Sequence, residues 1–390
     1  MIQVEEALSL IEQNCYKMPI RKIKVVKSLG SILAKTLFSS MDMPPFRQSA
    51  MDGYAFSYNN SKNYEIISVS QAGDFSNIKL DKNQAIRIFT GAYVPDILDT
   101  VVMQEHTTIE DNSIEINKMP TRFANVRNKG EQIKEKELVF EKNTVLTPAA
   151  IGFLTCLGIT EIKVYAKPKV AIVVTGNELV KAGKRLPKGK IYESNSLMLK
   201  VALQQTGIKK IKIFRVKDNL EATKKVFKDC LSEFDIVLVS GGISVGDYDF
   251  VKESLLSNGV EELFYKINQK PGKPLFFGKK ENTIVFALPG NPASTLTCFY
   301  VYVLPALKKR MGFETIHLPK IERKINTDFT NRSGKSLFLK AFYNDEKVTI
   351  LDSQSSAMLN TFAVANGLIH LPYDAVKIEK GMEVIVLPFN

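Results

Sequence analysis

The chain has 390 residues, 45% of them apolar and 24% charged, and 53 Lys+Arg against 41 Asp+Glu leave a formal net charge of +12. This balance can bury a real core, so it excludes a disordered or collagen-like chain, and the length suggests about two to four domains. The four cysteines, Cys15, Cys156, Cys230 and Cys298, lie far apart, with no Cys-x-x-Cys pair and no histidine at ligand spacing, which speaks against zinc modules and a disulfide scaffold. The N-terminus has neither a basic nor an apolar leader region, and no apolar run approaches the roughly 18 residues that would span a bilayer. A soluble, cytoplasmic protein without a membrane partner is expected. The lysine excess invites a nucleic-acid partner. However, no Lys/Arg run reaches five, the signs alternate in the stretch 129 to 137, and no nucleic-acid motif is present. A solvated, lysine-rich surface is the expectation, with no nucleic acid bound.

The first 40 residues are expected to be helical, because Val4, Ala7, Leu8 and Ile11 recur at helical spacing. Pro44 and Pro45 break that pattern. Short β-like runs punctuated by glycine follow to about residue 136, among them 64 to 69, 85 to 89, 100 to 103 and 113 to 116, and they predict a separate all-β unit. Helix returns at 147 to 158 and a strand at 162 to 165. After Pro168 the β-branched run KVAIVVT (169 to 175) opens an alternation of apolar strands (211 to 216, 235 to 240, 283 to 288) with helices near 194 to 205, 219 to 232, 248 to 257 and after Pro292. Continuous apolar strands alternating with helices predict a doubly wound parallel sheet covered on both faces. Beyond about 313, five short β-like segments predict a small barrel or sandwich.

Ligands of doubly wound sheets bind beyond the carboxyl ends of the strands, so the loops after 175, 216, 240 and 288 have priority. They read TGNEL, VKDN, SGGISVGDYD and LPGNPAST. In the third, Ser240, Gly241, Gly242, Ser244 and Gly246 let backbone N–H groups approach an anion at a helix N-terminus; the same composition also suits a tight strand-to-helix turn. Neither G-x-x-x-x-G-K-[ST] nor G-x-G-x-x-G occurs there. The last, with Pro289 and Gly290, places Asn291 as an N-cap, Pro292 at the first helical position and Ser294 in the first turn. Lys266, Lys270 and Lys273, in YKINQKPGKP, can converge on an oxyanion or simply face water. Glu178, Asp218, Asp247 and Asp249 all follow strand ends, where carboxylates beside a phosphate suggest a hard cation such as Mg²⁺ or, alternatively, helix caps. Acids, lysines and glycine loops at one rim together favour a phosphorylated anionic ligand. Asp52 and Thr90, each beside a glycine, read from their residues alone as turn positions.

These motifs together resemble the molybdopterin molybdenumtransferase family, the MoeA-type enzymes that include the E domain of gephyrin. The likeness runs through PPFRQSAMDGYA, TGAYVP, VRNKGEQI, TGNEL with GKIYESN, SGGISVGDYD, KPGKPLFFG, LPGNPAST and ANGLIHLP. It implies a multidomain α/β plus β architecture: a discontinuous helical linker domain (1–43 with 137–166), an inserted β domain (44–136), a molybdopterin-binding α/β domain (167–312) and a C-terminal β-barrel (313–390). It also implies a homodimer with a shared active site, which promotes Asp52 and Thr90 to site residues facing the partner protomer.

The implied reaction takes adenylylated molybdopterin, supplied by an upstream molybdopterin adenylyltransferase, and molybdate; it releases AMP with Mg²⁺ present and leaves molybdenum on the pterin. Glu178, Asp218 and Asp249 would hold the cation, Lys266 and Lys270 offset charge, and Lys270, Lys273, Ser294 and Ser356 match positions that handle molybdate. Lys340 would assist with the oxyanion. The chain departs from the family pattern at Gln132, Asn177 and Asn219, where Asp is usual, and at Lys335 and Lys340, where Arg is usual. A lysine at 340 should bind an oxyanion less directionally than a planar guanidinium. The alternatives are a pterin-binding scaffold with little catalysis, against which the retained acids argue, and a tungstate-preferring insertase.

Overall fold

The computed structural model describes residues 1–75, 78–243 and 250–389. Its contacts divide the chain into two compact units, one of Met1–Lys22, Gly30–Ala34 and Lys163–Asn390, the other of Ile23–Leu29 and Lys35–Ile162.

The helical expectation for the first 40 residues holds only for Val4–Asn14, whose Val4, Ala7 and Ile11 are buried. Cys15 is already extended, and Pro19 disfavours helical backbone at Met18. Ile20–Lys24 is then a strand and Val25–Lys27 a single 3₁₀ turn. The hydrophobic repeat that suggests one long helix thus stops after three turns.

In the second unit six strands form one sheet, in the order Thr100–Met103, Gly53–Phe56, Gln84–Ile88, Asn63–Ser70, Ser113–Ile116 and Thr107–Glu110. All pairings are antiparallel except Asn63–Ser70 with Gln84–Ile88. Side chains alternate across the sheet, so Tyr54 and Phe56 pack with Tyr64 and Val102 in one cluster while Ala55 joins Ile86, Ile88 and Val101 in another. A Cβ on Gly53 would lie 1.8 Å from the Val102 carbonyl oxygen; only glycine fits this close approach, which fixes the exit of the turn carrying Asp52. Helix Pro148–Cys156 starts where expected, with Thr147 Oγ1 accepting from the Ala150 N–H and proline at the first turn.

The first unit contains the doubly wound sheet. Its order is Ile211–Val216, Val170–Thr175, Ile236–Ser240, Thr283–Leu288, Phe276–Lys280, Glu261–Tyr265. The first four strands are parallel and the last two antiparallel. Every residue of Val170–Thr175, Ile236–Ser240 and Thr283–Leu288 is buried. Val170, Ile172, Leu238 and Phe286 pack on one face, and Ala171, Val173, Val237 and Val285 on the other, which is why these strands read as unbroken apolar runs. From Val170–Thr175 the chain passes first to one neighbour and later to the other, so a topological switch point lies between Val170–Thr175 and Ile236–Ser240.

The C-terminal strands close a five-stranded barrel: Ser336–Tyr343, Lys347–Ile350, Ile321–Ile325, Glu383–Pro388 and Gly367–Leu371, the last pairing back onto the first. Leu337, Leu339 and Ala341 point inward with Ile369 and Val386, so Phe338 and Lys340 face outward. A short strand from the neighbouring sheet region, Gln269–Lys270, pairs in parallel with Ser336 and Leu337. All four cysteines are free. Cys15, Cys230 and Cys298 are buried, and burial pushes the Cys15 and Cys230 thiols up to about 12, so they act as small apolar packing groups. Among the described residues no helix is long and apolar enough to cross a membrane.

Candidate functional site

A cleft of about 930 Å³ opens at the carboxyl ends of the parallel strands, walled by the loops after Thr175, Ser240 and Leu288, by Lys270–Pro274, and on the barrel side by Lys335 and Gln354–Ala357. The switch point therefore supplies two of its loops. Ser240, Gly241, Lys270, Lys273, Pro289, Gly290, Asn291, Ser294, Ser356 and Glu178 all line it.

The TGNEL loop is shaped by Asp218 rather than presenting it. Asp218 Oδ1 accepts from Thr175 Oγ1 at 2.5 Å and Oδ2 from the Asn177 N–H at 2.8 Å, while Asn177 Oδ1 accepts from the Asp218 N–H. Asp218 does not line the cleft; Glu178, two residues beyond the turn, does. Of the two expected carboxylates, the structure places Glu178 on the cleft wall, while Asp218 lies behind it with each oxygen accepting a hydrogen bond from the loop.

Asn195 joins two loops. It lies in the first turn of helix Asn195–Gln205, and its Nδ2 donates to Ser240 Oγ and to the Gly290 carbonyl, both at 2.8 Å. Gly241 takes φ +92°, and a Cβ there would stand 2.7 Å from the Thr175 carbonyl, so the turn after Ser240 needs glycine on both counts. Gly242 follows at φ +62° but is not part of the cleft wall. Ser244, Gly246, Asp247 and Asp249 lie outside the described residues.

Gln269 supports the lysine loop. Its Oε1 accepts from the Tyr302 hydroxyl, and its Nε2 donates to the carbonyls of Pro271 and Gly272 at 3.0 and 3.3 Å. These contacts hold the segment between Lys270 and Lys273 with both lysines on the cleft wall. Lys266 is not on that wall: its φ is +69° and its ammonium sits 4.7 Å from the centroid of the Tyr265 ring, so the structure brings two of the three lysines to the cleft.

On the last loop, Asn291 precedes Pro292–Cys298 but makes no side-chain cap. Its Nδ2 donates instead to Ser356 Oγ at 2.9 Å, and the Ala293 N–H donates to the Ser356 carbonyl. Ser356 is thereby tied to the α/β loop from the barrel side. Lys340 supports the same segment from behind: its Nζ donates to the carbonyls of Ser353, Ser355 and Met358 at 2.8, 3.2 and 2.9 Å. Gln354 Nε2 adds bonds to the Lys340 and Leu351 carbonyls. Lys340 is only 3% exposed and burial lowers its pKa. Its expected contact with the oxyanion is therefore corrected to a structural one, since all three of its donors are occupied. Lys335, the other departure, does line the cleft.

In the other unit Asp52 and Thr90 do form a pair. Asp52 Oδ1 accepts from the Thr90 N–H at 2.7 Å and from Thr90 Oγ1 at 2.8 Å. These two hydrogen bonds, with Arg87 nearby, hold the exposed carboxyl below the ordinary carboxylate range.

Among the described residues no group of three or more His, Cys, Asp or Glu is placed to hold a metal ion. Magnesium, however, is usually held by one or two carboxylates with substrate oxygens and water completing the shell. Glu178 fits that mode; the other carboxylate on the cleft wall, Glu193, is engaged by Ser196 and Arg215. Asn195, Gln269 and Gln354 are the supporting residues that motif reading leaves without a role. The first stands inside GKIYESN and the second directly before KPGKP, so adjacency to a motif was the available signal.

Three family profiles match the chain: the MoeA N-terminal region (domain I and II) over residues 2–158, the probable molybdopterin binding domain over 171–309, and the MoeA C-terminal region (domain IV) over 323–389. A molybdopterin molybdenumtransferase of Haemophilus influenzae is 34% identical, covering 100% of this chain and 99% of its own length. One from Staphylococcus epidermidis is also 34% identical, with 95% and 91% covered. The crystal structure of a molybdopterin biosynthesis MoeA protein from Pyrococcus horikoshii superposes with a TM-score of 0.82 at 26% identity, covering 100% of both chains. With its cleft at the sheet's switch point, its closed barrel and its end-to-end match to these relatives, the chain belongs to the MoeA family.

Proposed function

We propose that the chain is a molybdopterin molybdenumtransferase of molybdenum cofactor biosynthesis, which takes adenylylated molybdopterin and molybdate, releases AMP and leaves molybdenum on the pterin dithiolene. The observation that supports this reading is the convergence of Lys270, Lys273, Ser240, Ser294 and Glu178 on one cleft in a chain aligned end to end with relatives of that name. Molybdate is a dianion, so it needs donors: the ammonium groups of Lys270 and Lys273 and the hydroxyls of Ser294 and Ser356 supply them. Ser240 and the Gly241 turn cradle the pterin phosphate, and the motif assigns Gly242, Ser244 and Gly246 to the same loop.

Preplaced donors lower the barrier by stabilising charge as the phosphoanhydride breaks, without reorganising at that moment. Glu178 would hold Mg²⁺, with Asp249 as a further ligand and Asp218 keeping the loop in shape; the ion would neutralise phosphoanhydride charge. Lys266 contributes its charge from beside the site. The four-domain division belongs to the same proposal, as do a cytoplasmic homodimer in which Asp52 and Thr90 come from the second protomer and an adenylyltransferase that supplies the substrate. Purified protein given adenylylated molybdopterin should release one equivalent of AMP only when molybdate is added. No release from the folded protein would sink the assignment.

A further inference from the structure

Between Lys181 and Lys190 the sequence KAGKRLPKGK carries five cations in ten residues and no acid. Residues 208–217 carry as many cations without an acid, but they are partly buried, whereas all ten residues of 181–190 are exposed. The loop is anchored in the cleft wall at both feet. Leu179–Lys181 pairs in parallel with Ile191–Glu193, and Glu178, Leu179, Ile191 and Tyr192 line the cleft. Lys190 Nζ donates to the Asn177 carbonyl at 2.8 Å, and the Tyr192 hydroxyl donates to the Lys184 carbonyl at 2.9 Å, so the loop is fastened at its middle as well as at its base. The other four cations, Lys181, Lys184, Arg185 and Lys188, have no carboxylate within ion-pair distance among the described residues. Their charge is therefore uncompensated, beside a wall that already carries Lys270, Lys273 and Lys335.

We propose that this basic loop is an electrostatic collector for the cleft, drawing the polyanionic pterin nucleotide from solution. The inference rests on the function proposed above and adds to it four residues that act on encounter. Magnitudes favour encounter over clamping. Fully solvated lysines contribute little to a bound ion pair, whereas one-signed charge at the mouth of a cleft raises association rates by about 10-fold or more at low salt.

The test is stopped-flow binding of molybdopterin to the full chain and to the variant K181Q/K184Q/R185Q/K188Q. Lys190 is left intact because its ammonium holds the loop. The variant should associate about tenfold more slowly at low salt, dissociate within about twofold of the parent rate, and lose most of that difference at about 1 M salt, where the Debye length is about 3 Å. The charge-retaining K181R/K184R/K188R variant should associate as fast as the parent. Because all four positions are exposed, the melting temperature should stay within about 2 °C.

Equal association rates with equal salt slopes, or a loss carried by dissociation, would overturn the collector while leaving the insertase reading intact. So would loss of duplex RNA binding with pterin association unchanged. If the parent protein fails to bind molybdopterin at all, the functional reading falls and the collector falls with it.

Discussion

On the α/β side of the cleft, loops are fastened by Asn195 through its neutral amide and by the Asp218 carboxylate. On the barrel side one buried ammonium, Lys340, gathers three carbonyls. Asn195 and Asp218 each join groups brought near by the sheet itself, so the loops they tie have other anchors. The segment 353–358 has no sheet of its own, and its geometry depends on a charge whose desolvation is offset only by those carbonyls. One wall is scaffolded by topology and the other by side-chain bonds centred on Lys340, with Gln354 and Asn291 adding theirs. Lysine suits that second task because its three donors spread in three directions, whereas a guanidinium fork is planar.

The largest expected effect falls on chemistry at the α/β wall. Glu178→Gln keeps the side chain's size but removes the charge facing the cleft, and molybdate-dependent AMP release should fall by about 10²-fold or more, measured in single turnover, with the melting temperature little changed. An undiminished rate would remove Glu178 from the mechanism. Next comes stability, where the two walls can be set against each other. Lys340→Met removes three part-buried, charge-assisted bonds and should cost about 3 kcal/mol, while Asn195→Ala loses two neutral bonds and should cost about 1.5 kcal/mol, both read by urea unfolding. Equal costs would erase the distinction between the walls.

The smallest effect belongs to the exposed Asp52. Thr90→Val removes the hydroxyl donor but keeps the larger contribution, the backbone N–H, so the carboxyl should titrate closer to, but still below, the ordinary carboxylate range, as followed by carbon NMR. The sign follows from the depressed folded value. The carboxylate's contribution to stability is complete above the unfolded pKa and is lost as pH falls through the folded one, so Thr90→Val should move that loss to higher pH.

Much of this was legible in the residues because it depends on periodicity. The unbroken runs VAIVVT, DIVLVS and TIVFAL announce strands buried on both faces, and a parallel sheet dictates where its loops meet; Ser240 and Ser294 follow from that, whereas Lys270 and Lys273, on a loop between antiparallel strands, take a role only from the family resemblance. What escaped depends on direction. Lys340 alternates with inward-facing Leu339 and Ala341, so it must point out of the barrel, but only the fold shows that the 353–358 carbonyls await it there. Lys266 is turned aside by a positive φ that its type does not announce. Asn195 is chemically silent until two loops are brought within reach of its amide. The early helix was over-extended because apolar spacing continues past Asn14 while Pro19 and the alternating IRKIK already favour extended chain.

The parallel pairing of Gln269 and Lys270 with Ser336 and Leu337 has a mechanical consequence. The lysine loop emerges from the α/β sheet region yet is stitched to the first strand of the barrel, so it belongs to both bodies. If the barrel shifted against the sheet, Lys270 would be carried along with it. Opening the cleft and withdrawing its positive charge would then be a single motion, a gear rather than two independent parts.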